Sequence, residues 1–142
     1  MALDVDILGM MFSTRSEYAL RAVIELARRW KENSAVSVHT IAESTGIPYQ
    51  YLEQLIHPLR KAHIVTAQRG VKGGYRLARN PRELTVQDIL RCMEYDFAPF
   101  RCPVAGDYKC DRNVNCTAKK VWGEIAQSVS RTTKAITIAA LL

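Results

Sequence analysis

The sequence predicts a mainly α fold with a small β-hairpin, organised as a winged helix-turn-helix followed by a long C-terminal dimerisation helix. Three observations carry that expectation. Apolar residues recur at three- and four-residue spacing from Tyr18 to Trp30; a turn at Gly46 and Ile47 separates two further helical runs; and two strand-like runs flank Gly73 and Gly74. At 142 residues the chain has room for one hydrophobic core, or for one compact module with an appended helix. We read residues 1–10 as an N-terminal extension and 11–82 as the winged unit. Residues 83–116 form a connecting helix and cysteine loop, and 117–142 the dimerisation helix.

In the first helix Tyr18, Ala19, Ala22, Val23, Leu26, Ala27 and Trp30 form one apolar stripe, with Arg15, Glu25, Arg28 and Arg29 off it. Thr14 to Glu17 has the T-x-x-E form of a capping box, which starts the helix at Thr14 and ties Glu17 back to the cap backbone. After a polar break, Ile41 and Ala42 belong to a second helix and Leu52 and Leu55 to a third. Small Ala42 lets two helices cross closely, Gly46 suits the left-handed position that ends a helix, and Pro48 suits the opening of the next. A plain helical hairpin is the competing reading.

The segment from Ile64 to Arg79 decides against that competitor. Its two strand-like runs enclose Arg69 and Lys72 near a glycine-rich tip, with Arg76 and Arg79 on the return, which makes a basic wing. A nucleotide-phosphate loop fails on context, because no G-K-[ST] follows the paired glycines. Asn80 and Pro81 break the chain, and Thr85 to Asp88 opens a short helix containing Ile89, Leu90 and Met93. Cys92 falls among core positions there and reads as a small buried hydrophobe. Tyr95 to Asn115 has no sustained period and reads as a loop. From Thr117 the positions Val121, Trp122, Ile125, Val129, Ile136 and Ala140 return to helical spacing. So small a domain has too little core of its own to cover that stripe, and a second copy of the helix is the expected partner, with folding back onto its own domain as the competing reading.

Charge and cysteine usage narrow the function. Twenty Lys and Arg against fourteen Asp and Glu give a net charge of +6, concentrated from Arg60 to Arg82 and from Arg101 to Lys120, which suits a polyanionic partner. The first ten residues lack a basic leader and carry Asp4 and Asp6, and no apolar run has membrane-spanning length, so a cytoplasmic protein with reduced thiols is expected. Cys102, Cys110 and Cys116 are spaced C-x7-C-x5-C. In this setting the spacing suits a metal or cluster site better than a disulfide framework, and wide spacing suits an iron–sulfur cluster better than a zinc knuckle. Structural zinc and redox-active or inert thiols are the competing readings. No nucleophile–base pair or nucleotide motif supports an enzyme.

These residues together resemble the Rrf2 family of bacterial transcription regulators. The marks are Tyr18 to Arg21, Ile41 and Ala42, Gly46 to Pro48, Tyr51 to Leu55, Leu59 to Lys61, Arg69 and Gly70, Gly73 to Tyr75, the cysteine triad and Trp122, over residues 11–142. The resemblance implies a dimer on double-stranded operator DNA, with the third helix in the major groove and the wing in the adjacent minor groove. Its base-reading positions fall on Gln50 and Glu53, and we expect Tyr49 beside them near base edges, Arg69 in the minor groove, and Arg60, Lys61 and Lys72 on phosphates, with Gly73 and Tyr75 in the same surface. A solvated surface carboxylate is the competing reading of Glu53. His39, His57 and His63 read as surface or packing residues. The resemblance also implies a cluster in the cysteine loop that controls DNA binding in response to iron, redox state or nitric oxide. Some members fill the fourth coordination position with a histidine three residues after the last cysteine, but Lys119 stands there. Others use a carboxylate from the first helix of the partner subunit, which aligns with Glu17. That carboxylate favours [2Fe–2S] over [4Fe–4S]. A clusterless regulator governed by thiol oxidation or a protein partner is the rival within the family.

Overall fold

The computed structural model describes residues 12–94 and 116–142. Helix α1 spans Thr14–Arg28 and runs through the centre of the core, burying Ala19, Ala22, Val23, Leu26 and Ala27. It opens at Thr14, but the cap is Ser13, whose hydroxyl accepts from the Ser16 backbone N–H at 3.3 Å. The expected T-x-x-E box is therefore displaced by one residue, and Glu17 turns outward to Arg21 instead of back to the cap. Two further positions depart from the expected stripe. Trp30 lies beyond the helix in a 3-10 turn (Trp30–Glu32) and is 38% exposed, because left-handed Asn33 turns the chain away. Glu25 is buried, and Arg28 and Arg29 at 3.3 and 3.5 Å supply the countercharge that such burial requires.

Ser37 caps helix α2 (Val38–Thr45), and Gly46 at φ 71° closes it. Pro48 then precedes helix α3 (Tyr49–Lys61), which buries Leu52, Leu55, Ile56 and Leu59 against α1 and α2. Its end is a Schellman motif: His63 sits at φ 54°, its N–H reaches the Arg60 carbonyl at 3.0 Å, and the Ile64 N–H reaches the Leu59 carbonyl at 2.9 Å. His63 is thus a surface residue that terminates a helix.

Strands β1 (Val65–Gln68) and β2 (Gly74–Leu77) pair antiparallel, from Val65 opposite Leu77 to Gln68 opposite Gly74. Val36, from the connection before α2, adds a bridge on the outer side of β2. Its N–H and carbonyl exchange hydrogen bonds with Tyr75, both at 2.8 Å. This contact fixes the wing to the helix-turn-helix.

Helix α4 (Val86–Met93) carries a reciprocal capping box between Thr85 and Asp88, at the place the sequence indicates. Cys92 is half-buried beside the core, and burial pushes its thiol pKa up, as suits a packing residue. Helix α5 (Ala118–Ala135) is shorter than the periodicity predicts. Ile136 and Ile138 leave it and hydrogen-bond back to Val86 and Leu84 at 2.9 and 2.8 Å, and Ile138 is fully buried in the core. The expected helix over 117–142 is corrected accordingly: residues 136–142 fold onto this chain's own domain, ending in a 3-10 turn (Ile138–Leu141). Along α5 only Gly123 and Thr133 are buried, while Val121 and Trp122 remain exposed. No helix among the described residues is long and apolar enough to cross a membrane.

Candidate nucleic-acid interface and cysteine site

Helix α3 presents Tyr49, Gln50 and Glu53 on its exposed face, opposite the buried leucines. The Tyr49 hydroxyl donates to the Glu53 carboxylate one turn away, and that bond, with the charge behind it, pushes the Tyr49 pKa above its usual value. The first two turns therefore offer a phenol, an amide and a carboxylate on one surface. At the other end Arg60 and Lys61 are exposed beside His57, His63 and Thr66, lining a groove of about 490 Å³ between α3 and the wing.

Arg69 and Lys72 project from the wing tip into solvent. Gly73 shapes that tip, since an added Cβ would lie 2.7 Å from the carbonyl oxygens of Gln68 and Gly70. Tyr75, expected in the same surface, is half-buried against the core and holds the wing through Val36, so it anchors the wing more than it presents a free side chain. The two cations of the return strand are engaged elsewhere. Arg76 reaches Asn33, and Arg79 reaches the Glu83 carbonyl at 3.3 Å.

The outer end of α1 connects to this surface through two contacts. The Tyr18 ring meets Tyr51 of α3 edge-on, with centroids 5.4 Å apart. Arg21 lies over Tyr18, donates to the Thr45 carbonyl at the end of α2 at 3.3 Å, and pairs with Glu17 at 2.7 Å. Glu17 is thus an exposed carboxylate, one side chain removed from the turn of the helix-turn-helix. Sequence reasoning missed Arg21 and Tyr51 as connectors, although the Y-x-x-R spacing, which puts both side chains on one helix face, was the available signal.

A second carboxylate organises the start of α1. Glu94, directly after α4, accepts at Oε1 from the Ser13 backbone N–H at 3.1 Å, the Ser13 hydroxyl at 2.6 Å and the Ser16 hydroxyl at 2.5 Å. Burial pushes the Glu94 pKa up, but the bonds from Ser13 and Ser16, with Arg15 nearby, outweigh it and hold the carboxyl below the usual 4.5. A depressed folded-state pKa contributes stability that is present above the unfolded value and lost as pH falls through the folded one. Thermal melting followed by circular dichroism should therefore show a loss of stability below about pH 4.5 that is smaller in Glu94→Gln. Equal acid sensitivity in both proteins would remove Glu94 as its source.

Of the cysteine triad, Cys116 is described: it is exposed, immediately before α5. Cys102, Cys110 and the rest of the loop over 95–115, like the extension over 1–10, lie outside the described residues. Cys116 borders a concavity of about 500 Å³ shared with Lys119, Lys120, Gly123 and Glu124. Among the described residues of one chain, no three Cys, His, Asp or Glu side chains gather as a metal site.

The profile described as "Rrf2: Iron-dependent Transcriptional regulator" matches residues 12–142. The chain belongs to the Rrf2 family. Protein rrf2 of Nitratidesulfovibrio vulgaris is 35% identical over 133 residues, covering 94% of this chain and 87% of that protein. The solved structure of T. potens IscR is 37% identical with a TM-score of 0.76, covering 95% of this chain and 88% of that one. The structure of CymR (YrzC), the global cysteine regulator of B. subtilis, is 31% identical with a TM-score of 0.75, covering 92% and 94%. This Rrf2 chain is accordingly a DNA-binding transcriptional regulator with the winged-helix fold of those proteins, and not an enzyme.

Proposed function

We propose that this Rrf2 protein acts as a homodimeric, cytoplasmic repressor that reads an operator with Tyr49, Gln50 and Glu53, and that an iron–sulfur cluster sets its affinity. The observation that carries the first half is that the polar face of α3 and the cationic wing tip are both exposed, on a helix and a hairpin that pack together through β1. Gln50 can pair with adenine and the Glu53 carboxylate can accept from cytosine, while Arg69 enters the minor groove. Arg60, Lys61 and Lys72 hold phosphates, and Gly73 and Tyr75 keep the tip in register. The face of α5 on which Val121 and Trp122 are exposed among the described residues is the surface on which a second subunit packs. Two copies then present two recognition helices to two half-sites.

Binding to a duplex selected from a random-sequence library tests the interface. Arg69→Ala is expected to weaken binding by about 1–3 kcal/mol, roughly fivefold to 150-fold, across a salt series. Unchanged affinity at every salt concentration would contradict the wing assignment.

The donor chemistry fits a cluster. Cys116 is an exposed thiol, and Glu17 is an exposed carboxylate that the helix cap does not use. Cys102, Cys110 and Cys116 with the partner's Glu17 would hold it, a set that favours [2Fe–2S] over [4Fe–4S]. When bound, the cluster supplies a centre whose integrity depends on iron, oxidants and nitric oxide. Glu17 does the coupling. When it engages elsewhere, Arg21 loses its carboxylate and its hold on the Thr45 carbonyl shifts, beside the Tyr18–Tyr51 contact with α3. Lys119, a poor ligand while protonated, and the likeness to CymR favour a second reading, in which thiol chemistry or a protein partner controls the same dimer.

A further inference from the structure

We propose that Glu94 is the positioning residue that carries the state of the cysteine segment into the DNA-binding helices of the same subunit. This inference rests on the cluster reading above and adds a second route to it, distinct from Glu17 of the partner. In an ordinary capping box the residue three places after the cap returns a carboxylate to the cap N–H. Here that residue is Ser16, too short to do so, and Glu94 supplies the carboxylate from 81 positions away. Three donors converge on one oxygen, and one of them, Ser16, is fully buried. Moving Glu94 away removes the acceptor of all three donors at once, so the first turn of α1 is tied to the position of residue 94.

Residue 94 is also where the chain leaves α4, with extended backbone at φ −96° and ψ 124°, eight positions before Cys102. On its N-terminal side the cysteine segment is joined to the domain through this residue, as Cys116 joins it to α5 on the other, so a displacement on the N-terminal side enters the domain here. Its carboxylate passes that displacement to the turn of α1 that carries Glu17 and precedes Tyr18 and Arg21. Those two side chains grip α3 and the end of α2. The same carboxylate therefore holds both ends of the path, the root of the cysteine segment and the start of the helix that supports the reader.

The test measures operator affinity by fluorescence anisotropy, on the selected duplex, for full-length protein before and after anaerobic reconstitution with iron and sulfide. The readout is the ratio of the two affinities. A purely structural role for Glu94 would lower thermal stability without changing that ratio, so Ile89→Val, which trims the core beneath α4, serves as the stability control. Glu94→Ala is expected to bring the ratio about fivefold closer to one, with Glu94→Gln intermediate and available if the alanine variant does not fold. Ile89→Val is expected to keep the wild-type ratio. A wild-type ratio in both Glu94 variants would overturn the proposal and leave the cluster reading intact. A ratio of one already in the wild-type protein would overturn the cluster reading, and the proposal with it.

Discussion

Gly74→Ala is expected to destabilise the protein by about 3 kcal/mol or more and to abolish operator binding at concentrations where the wild type is saturated. Gly74 holds φ 154°, and a Cβ built there would lie 2.3 Å from the Val36 carbonyl oxygen and 2.8 Å from the Ser37 nitrogen. All of its close neighbours are backbone atoms, so no side chain can swing aside. Relief requires the wing to lift from Val36, which breaks the two 2.8 Å hydrogen bonds with Tyr75 and displaces the tip that carries Arg69. Gly70→Ala is the informative comparison. It has φ 120° but open space around it, so its cost should be backbone strain alone, about 1–2 kcal/mol. Urea midpoints of the two variants measure the difference, and equal midpoints would contradict the close-approach argument.

The second large effect concerns Glu17. Glu17→Ala is expected to lower the affinity for the cluster's iron by roughly 100-fold or more, and Cys116→Ser to abolish cluster retention. In the absence of iron the Glu17 variant should fold like the wild type. Its carboxylate is exposed and, among the described residues, pairs with the exposed Arg21, and such pairs contribute about 0–1 kcal/mol. Visible absorption during chelator challenge separates ligation from stability. A cluster that survives the chelator as long in Glu17→Ala as in the wild type would remove this residue from the ligand set.

Much of the winged unit is legible from local chemistry. Gly46 marks the left-handed end of α2 because glycine takes φ 71° without the Cβ clash most side chains meet there, and Thr85 with Asp88 marks the cap of α4 because both partners lie within one turn. The same logic misplaces the start of α1. Thr14 and Glu17 satisfy the local pattern, but Ser13 wins because Glu94 reaches it from the far side of the domain, and no spacing rule carries that information. Ile136 is misread for a related reason. It continues the helical stripe of α5 in sequence, yet its carbonyl accepts from the Val86 N–H and Ile138, two residues on, is buried in the core, so packing ends the helix at Ala135. Tyr75 fits a wing motif, but its backbone is committed to Val36 and its ring to the core. On the candidate reading surface Tyr49, Gln50, Glu53, Arg69 and Lys72 are exposed, as the amphipathic pattern and the hairpin indicate.

Central to this account is a DNA reader governed by a cluster on Cys102, Cys110 and Cys116. Anaerobic purification with visible spectroscopy and iron and acid-labile sulfide analysis tests it most directly. The account predicts coloured protein containing iron and sulfide in equal amounts, lost in Cys116→Ser. Colourless, iron-free protein after careful reconstitution would contradict it and leave the thiols or a protein partner as the control of this regulator.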